Sequence, residues 1–188
     1  ALAKLKVQAA SDKQELESQV KQAMASAGKL RGGISHVIDA SVLTLEAKTL
    51  LERRSDLTAA LDKVAQALKR DSAYPAASRV RGEILAAMGE PSEAVEAFKK
   101  ADELSKNEDG TGGDALSLVL AGETSLTGLS DRDAALAFFQ QAAKAEPESA
   151  IGKMGAAHAA FLKGDWERAT KIAGEARQLD SSLALTPL

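Results

Sequence analysis

The chain has 188 residues, a formal net charge of −3 and no cysteine. Missing thiols exclude disulfides, zinc–thiolate sites and cysteine nucleophiles, and a chain without a basic excess lacks the usual footprint of a phosphate-binding domain. No apolar run approaches the roughly 18 residues that a spanning helix needs, and with only 3% aromatics the core must be built from Leu, Val, Ile and Ala.

Residues 1–10 are helix-prone but weakly patterned. Ser11 with Gln14 reads as a capping box, opening a helix over 12–28 whose apolar stripe is Leu16, Val20, Ala23, Met24 and Ala27. Lys13, Glu15, Glu17, Gln19 and Lys21 form its solvated face, and Gly28 can end it. Beyond the break at Gly32 and Gly33, Asp39 is placed to cap a helix over 40–53 carrying Val42, Leu45, Leu50 and Leu51. Its partner, 56–70, repeats Leu57, Ala60, Leu61, Val64, Ala67 and Leu68 at three- and four-residue steps, the period of one buried helical face.

The clearest stretch follows. Residues 75–88 and 91–105 read as two helices around a tight turn, because Gly89 adopts the left-handed conformation at little cost and Pro91 loses nothing at a helix start. Ala94, Val95, Phe98, Ala101 and Leu104 form the stripe of the second helix, and small Gly82 and Ala94 permit close approach beside Phe98. Residues 106–113 have loop composition and are expected to be a mobile connector. Asn107, Glu108 and Asp109 lack the alternating acids and distal glutamate of a calcium loop. Helices over 114–127 and 131–145 come next, with Gly128 ending the first, Ser130 and Asp133 as a capping box for the second, and Ala135, Phe139 and Ala142 along its stripe. The last pair is 149–163 and 166–179, turning at Gly164. Trp166 is expected to pack between repeats, while Leu183, Leu185 and Leu188 of the tail cover the last helix or open a further repeat.

The recurring order of small residue, Gly turn, Ala, aromatic and Ala resembles the tetratricopeptide repeat (TPR) family. Gly82, Leu85, Gly89, Ala94, Phe98 and Ala101 carry the likeness, although Arg81 stands where the family usually has leucine. It extends over about residues 40–180, with Ser55 replacing the turn glycine in the first repeat and Ala173 replacing the aromatic in the fourth. The resemblance implies an all-α, right-handed superhelical solenoid of about four antiparallel helix pairs over 34–180. The expected flanks are an N-terminal helical segment over 1–33, as a cap or a truncated preceding repeat, and a tail over 181–188.

In that family the first helix of each pair lines a concave groove. Carried onto this chain, the groove positions are Val42, Leu45, Thr49, Glu52 and Arg53, then Ala76, Arg79, Glu83, Ala86 and Ala87, then Ala115, Leu118, Gly122, Ser125 and Leu126, then Ile151, Met154, His158, Phe161 and Leu162. From these, the expected partner site is Arg79, Glu83, Leu118, Ile151, Met154, His158, Phe161 and Leu162. Leu45 and Thr49 stand where a Lys/Asn clamp for chaperone C-termini would be needed, which argues against a chaperone adaptor.

Nothing points to chemistry. His36 and His158 are the only histidines, and no zinc-protease, nucleophile-elbow, phosphate-loop or dinucleotide pattern occurs. Catalytic residues, cofactors and metals are therefore none in this reading. The expectation is a non-catalytic scaffold for a protein or peptide partner, in the style of bacterial envelope repeats that serve pilus assembly or polysaccharide export. Its alternative is a structural module that self-assembles through its end helices. Nucleic acid is not expected, since Lys69, Arg70, Arg79 and Arg81 are the only local basic cluster. The start at Ala1 without a leader reads as a processed chain or an excised fragment, and the compartment as bacterial periplasm, ahead of cytoplasm.

Overall fold

The computed structural model describes residues 35–54 and 56–180. The chain divides into two compact units, Ala1–Asp39 and Ala40–Leu188, and the architecture below is that of the second. The expected helix over 12–28 and the tail over 181–188 lie outside the described residues.

Among the described residues eight helices follow one another, the first over 35–53 (α1). The others are α2 (Leu57–Arg70), α3 (Pro75–Met88), α4 (Pro91–Leu104), α5 (Ala115–Thr127), α6 (Arg132–Ala145), α7 (Ala150–Leu162) and α8 (Trp166–Leu179). Among the described residues there is no strand, only an isolated bridge between Lys106 and Gly112. The fold is the expected all-α solenoid of antiparallel helix pairs.

Local chemistry explains the helix ends. Asp56, Asp114, Asp131, Ser149 and Asp165 each accept a hydrogen bond from a first-turn N–H, satisfying donors that have no intrahelical partner. Pro75 and Pro91 occupy first-turn positions. Gly89 is left-handed at φ 83°, and the N–H of Glu90 donates back to the Leu85 carbonyl. Two expectations are corrected. Helix α1 runs straight through Asp39, which therefore does not cap it. Gly128 ends α5 as expected, right-handed at φ −91°, and Ser130 takes the left-handed turn at φ 54°. The cap of α6 is consequently Asp131, one residue after the expected Ser130, and it accepts from the Ala134 N–H at 2.9 Å.

Two middle pairs close by the same device. An added Cβ on Gly82 of α3 would lie 2.6 Å from a ring carbon of Phe98 on α4, and one on Gly122 of α5 would lie 2.6 Å from the same ring carbon of Phe139 on α6. Each glycine is thus a socket for a phenylalanine that is at most 1% exposed. Burying one such ring contributes about 2–3 kcal/mol relative to leaving it in water. In the flanking pairs the lock is softer. Ala47 and Val64 share a cluster between α1, α2 and α3, and Ala157 stands opposite Ala173 by the same spacing.

Each helix from α2 to α8 packs on the next, α3 also touches α5, and α5 touches α7. No comparable contact joins α4 to α6 or α6 to α8. The first helices of the pairs therefore form a closed tier and the second helices a splayed one, which puts α3, α5 and α7 on the inner side.

The connection between α4 and α5 is a tied turn rather than the mobile connector expected from composition. The N–H of Asn107 donates to the Thr111 carbonyl at 2.9 Å. The amide and hydroxyl of Thr111 both donate to the Asp109 carboxylate. The hydroxyl first and then the amide hold the Asp109 carboxyl below its usual value. Buried Asp102 on α4 accepts from the Asp114 N–H at 3.1 Å and pairs with Lys106 at 2.6 Å. Composition registered the glycines and missed the side-chain acceptors between them.

Candidate partner-binding face

The locks set the register of the inner tier. The residue after each small lock position is Lys48 on α1, Glu83 on α3, Glu123 on α5 and His158 on α7. These four are equivalent, so the groove positions of α1 and α5 each move one residue from those read in sequence, with Lys48 in place of Thr49, Glu52 in place of Arg53, and Glu123 in place of Gly122. Gly122 faces the Phe139 ring and is a packing residue. The turn after Gly128 is longer than that after Gly89, which hid the correct offset.

The electrostatics change along the tier. Glu83 is half-buried, and burial pushes its carboxyl above the usual value of 4.5. Lys48 and Arg79 oppose that rise, while Glu52 and Asp114 add to it. Arg79 donates to the Asp114 carboxylate, and Asp114 also accepts from the Ser117 amide and hydroxyl. Arg79 thus ties α3 to the start of α5, a structural role that sequence reading did not show. Glu123 is half-buried and raised by burial alone. At the far end, His158 is 7% exposed with Nδ1 unpaired, its ring edge-to-face with Phe139 at 4.8 Å, and burial lowers its pKa from 6.5.

Of the expected site residues, Leu118 and Leu162 lie within the core cluster around Phe139. His158 is buried against the same ring. Ile151, Met154 and Phe161 of α7, with Leu126 of α5, are partly buried over the same cluster and supply its apolar surface. Arg79 and Glu83 lie on α3, toward the polar end of the tier. Trp166 does not pack between repeats. As the first residue of α8 it meets Phe161, in the last turn of α7, edge-to-face at 4.7 Å within its own pair, and it is 59% exposed. On α1, Val42 and Leu45 are also exposed. Among the described residues no group of His, Asp and Glu could hold a metal ion, and no helix is long and apolar enough to cross a membrane.

A family model described as tetratricopeptide repeat matches residues 45–109 and 124–183. A search of curated proteins found no significant match. Several solved structures share the fold. The thermophilic TPR protein TTC0263 of Thermus thermophilus is 20% identical, covers 77% of this chain and 76% of its own, and superposes with a TM-score of 0.61. The MamA protein is 18% identical over 79% of this chain and 80% of its own, at 0.54. YrrB, described as a TPR protein with an unusual peptide-binding site, is 18% identical over 84% of this chain and 74% of its own, at 0.50. Identities this low speak for the fold alone.

Proposed function

The chain belongs to the tetratricopeptide repeat family, and from that premise we propose that it is a non-catalytic scaffold that holds a peptide or partner helix on its inner face, against α7. The observation that carries this reading is the strip of Ile151, Met154 and Phe161 beside Leu126, apolar surface over a core that is already complete beneath it. Such a strip suits a protein ligand, and unbranched Met154 adapts to varied partner shapes. The peptide-binding site of YrrB is that protein's own and supports the reading by analogy of fold. Protein is favoured over nucleic acid because Arg79, from the one local basic cluster, is engaged by Asp114. The Ala-rich, degenerate repeats suggest a bacterial envelope assembly, such as pilus or polysaccharide-export machinery, as the setting.

The test is affinity capture with the intact chain against the double variant Met154→Glu with Phe161→Glu, checked by circular dichroism for retained helicity. The variant should lose the partners that the natural chain retains. Equal capture by both removes the site from consideration. A second reading, self-assembly through the end helices, draws on Trp166 and Leu179 of α8, both more than half exposed. Light scattering over a concentration series separates the two: constant mass supports the scaffold, and open-ended growth supports assembly.

A further inference from the structure

The inner tier carries a charge imbalance that its own packing does not resolve. Its ionisable groups from α1 to the middle of α5 are Lys48, Glu52, Arg79, Glu83, Asp114 and Glu123, two cations against four carboxylates. Arg79 is paired with Asp114 at the start of α5, and Lys48 and Arg79 both favour the charged form of Glu83. Like Glu83, Glu123 is half-buried with no ion pair to any described residue, but where Lys48 and Arg79 offset the burial of Glu83, no cation offsets that of Glu123. An ionised carboxylate drawn out of water is unfavourable until a cation meets it. One residue short of a full helical turn further along α5 stands Leu126, in the same cluster as Ile151, Met154 and Phe161. The equivalent residue on α7, His158, is more than nine-tenths buried and has Nδ1 without a partner. The touching helices α5 and α7 therefore carry an unpaired carboxylate and an apolar strip, above a buried ring nitrogen without a partner.

From this juxtaposition we infer the chemistry of the partner: a peptide segment with a lysine or arginine about one helical turn from a large apolar side chain. The cation meets Glu123, and the apolar side chain covers Leu126, Met154 and Phe161. This deepens the scaffold reading of the same face and rests on it. Charge complementarity carries the choice, because an acidic segment would add a like charge beside Glu83 and Glu123, and a purely apolar one would bury Glu123 unpaired, the costlier arrangement.

The test is selection of 16-residue peptides from a random displayed library on the full-length chain, followed by titration of the selected peptides against three variants. Expected is enrichment of Lys or Arg three or four positions from Leu, Ile, Met or Phe. Glu123→Gln, which keeps the shape and removes the charge, should weaken the selected peptides about tenfold or more at low salt. Glu123→Arg should redirect selection to acidic peptides, and Phe161→Glu should abolish binding. If Phe161→Glu abolishes binding while Glu123→Gln leaves it unchanged, the groove stands and the basic partner is overturned. If nothing is selected, or Phe161→Glu has no effect, both readings fall. If light scattering shows a dimer that Phe161→Glu dissolves, the occupant is a second copy of the chain and the inference is overturned.

Discussion

The pairs α3/α4 and α7/α8 follow one plan and use their sequence differently. In α4, six residues are buried, Phe98 among them, against a glycine socket. In α8 only Ala169 and Ala176 are buried, and its largest side chain, Trp166, lies mostly in water. A repeat array is stabilised by terms within each pair plus terms between neighbours, so a pair that buries less contributes less and lies at the softer end of the molecule. The comparison teaches that the middle of this array supplies stability while the last described pair supplies surface, and most of the candidate partner face lies on α7 of that softer pair.

The largest expected effect tests the stiff side of the comparison. Phe139→Ala should cost about 3–5 kcal/mol, as other core aromatics do, and Phe98→Ala a similar amount, read from urea midpoints. Ala173→Gly, at the equivalent position of α8, should cost only the helix-propensity loss of about 1 kcal/mol. Equal losses at the two positions would break the comparison. The socket comes next: Gly122→Ala forces a methyl into the Phe139 ring and should cost about 1–3 kcal/mol, with partial recovery when Phe139→Leu is combined with it, because residues in contact do not add.

A smaller effect appears in pH. The His158 pKa is depressed by burial, so its stabilising contribution is present above 6.5, its ordinary value, and is lost as pH falls below it. Glu83 and Glu123 have the opposite sign: their raised carboxyl pKa values give a contribution present below 4.5 that is lost as pH rises through the raised values. Thermal melts from pH 7.5 down to 4 should therefore show the natural chain losing ground to His158→Gln as pH falls below 6.5, and losing ground to Glu123→Gln as pH rises from 4.5. Parallel curves would mean that neither group titrates differently on folding. The smallest effect is Trp166→Ala, about 1 kcal/mol or less for an exposed edge-to-face pair, and a loss matching that of Phe139→Ala would show that the last pair is not the softer one.

Much of the fold was legible because the repeat writes the same physics several times. The stripe of Ala94, Phe98 and Ala101, the left-handed Gly89 and the proline at 91 each leave a local signature, and the helices from 57 to 179 fall within a residue or two of expectation. Register between pairs was less legible. The glycine at 128 looked like that at 89, yet Ser130 makes the left-handed turn, and the error moved the groove on α5 by one residue. Roles that depend on distant partners left no local trace: nothing near Arg79 in sequence announces Asp114, thirty-five residues on. Trp166 was misjudged for the same reason, since whether a ring after a turn meets the next repeat or its own pair depends on how far the helix before it extends.

The tied turn between Leu104 and Ala115 has a mechanical consequence. It is the longest connection among the described helices from α2 onward, the place where an array of this kind would be expected to carry slack. Here the Asp102 carboxylate grips the Asp114 amide while the Asp114 side chain grips Arg79, so a tug on the turn is borne by α3, α4 and α5 together. The interval between the charged residues of α3 and those of α5 then behaves as a caliper of fixed opening, and a ligand touching both must bring a matching length of its own.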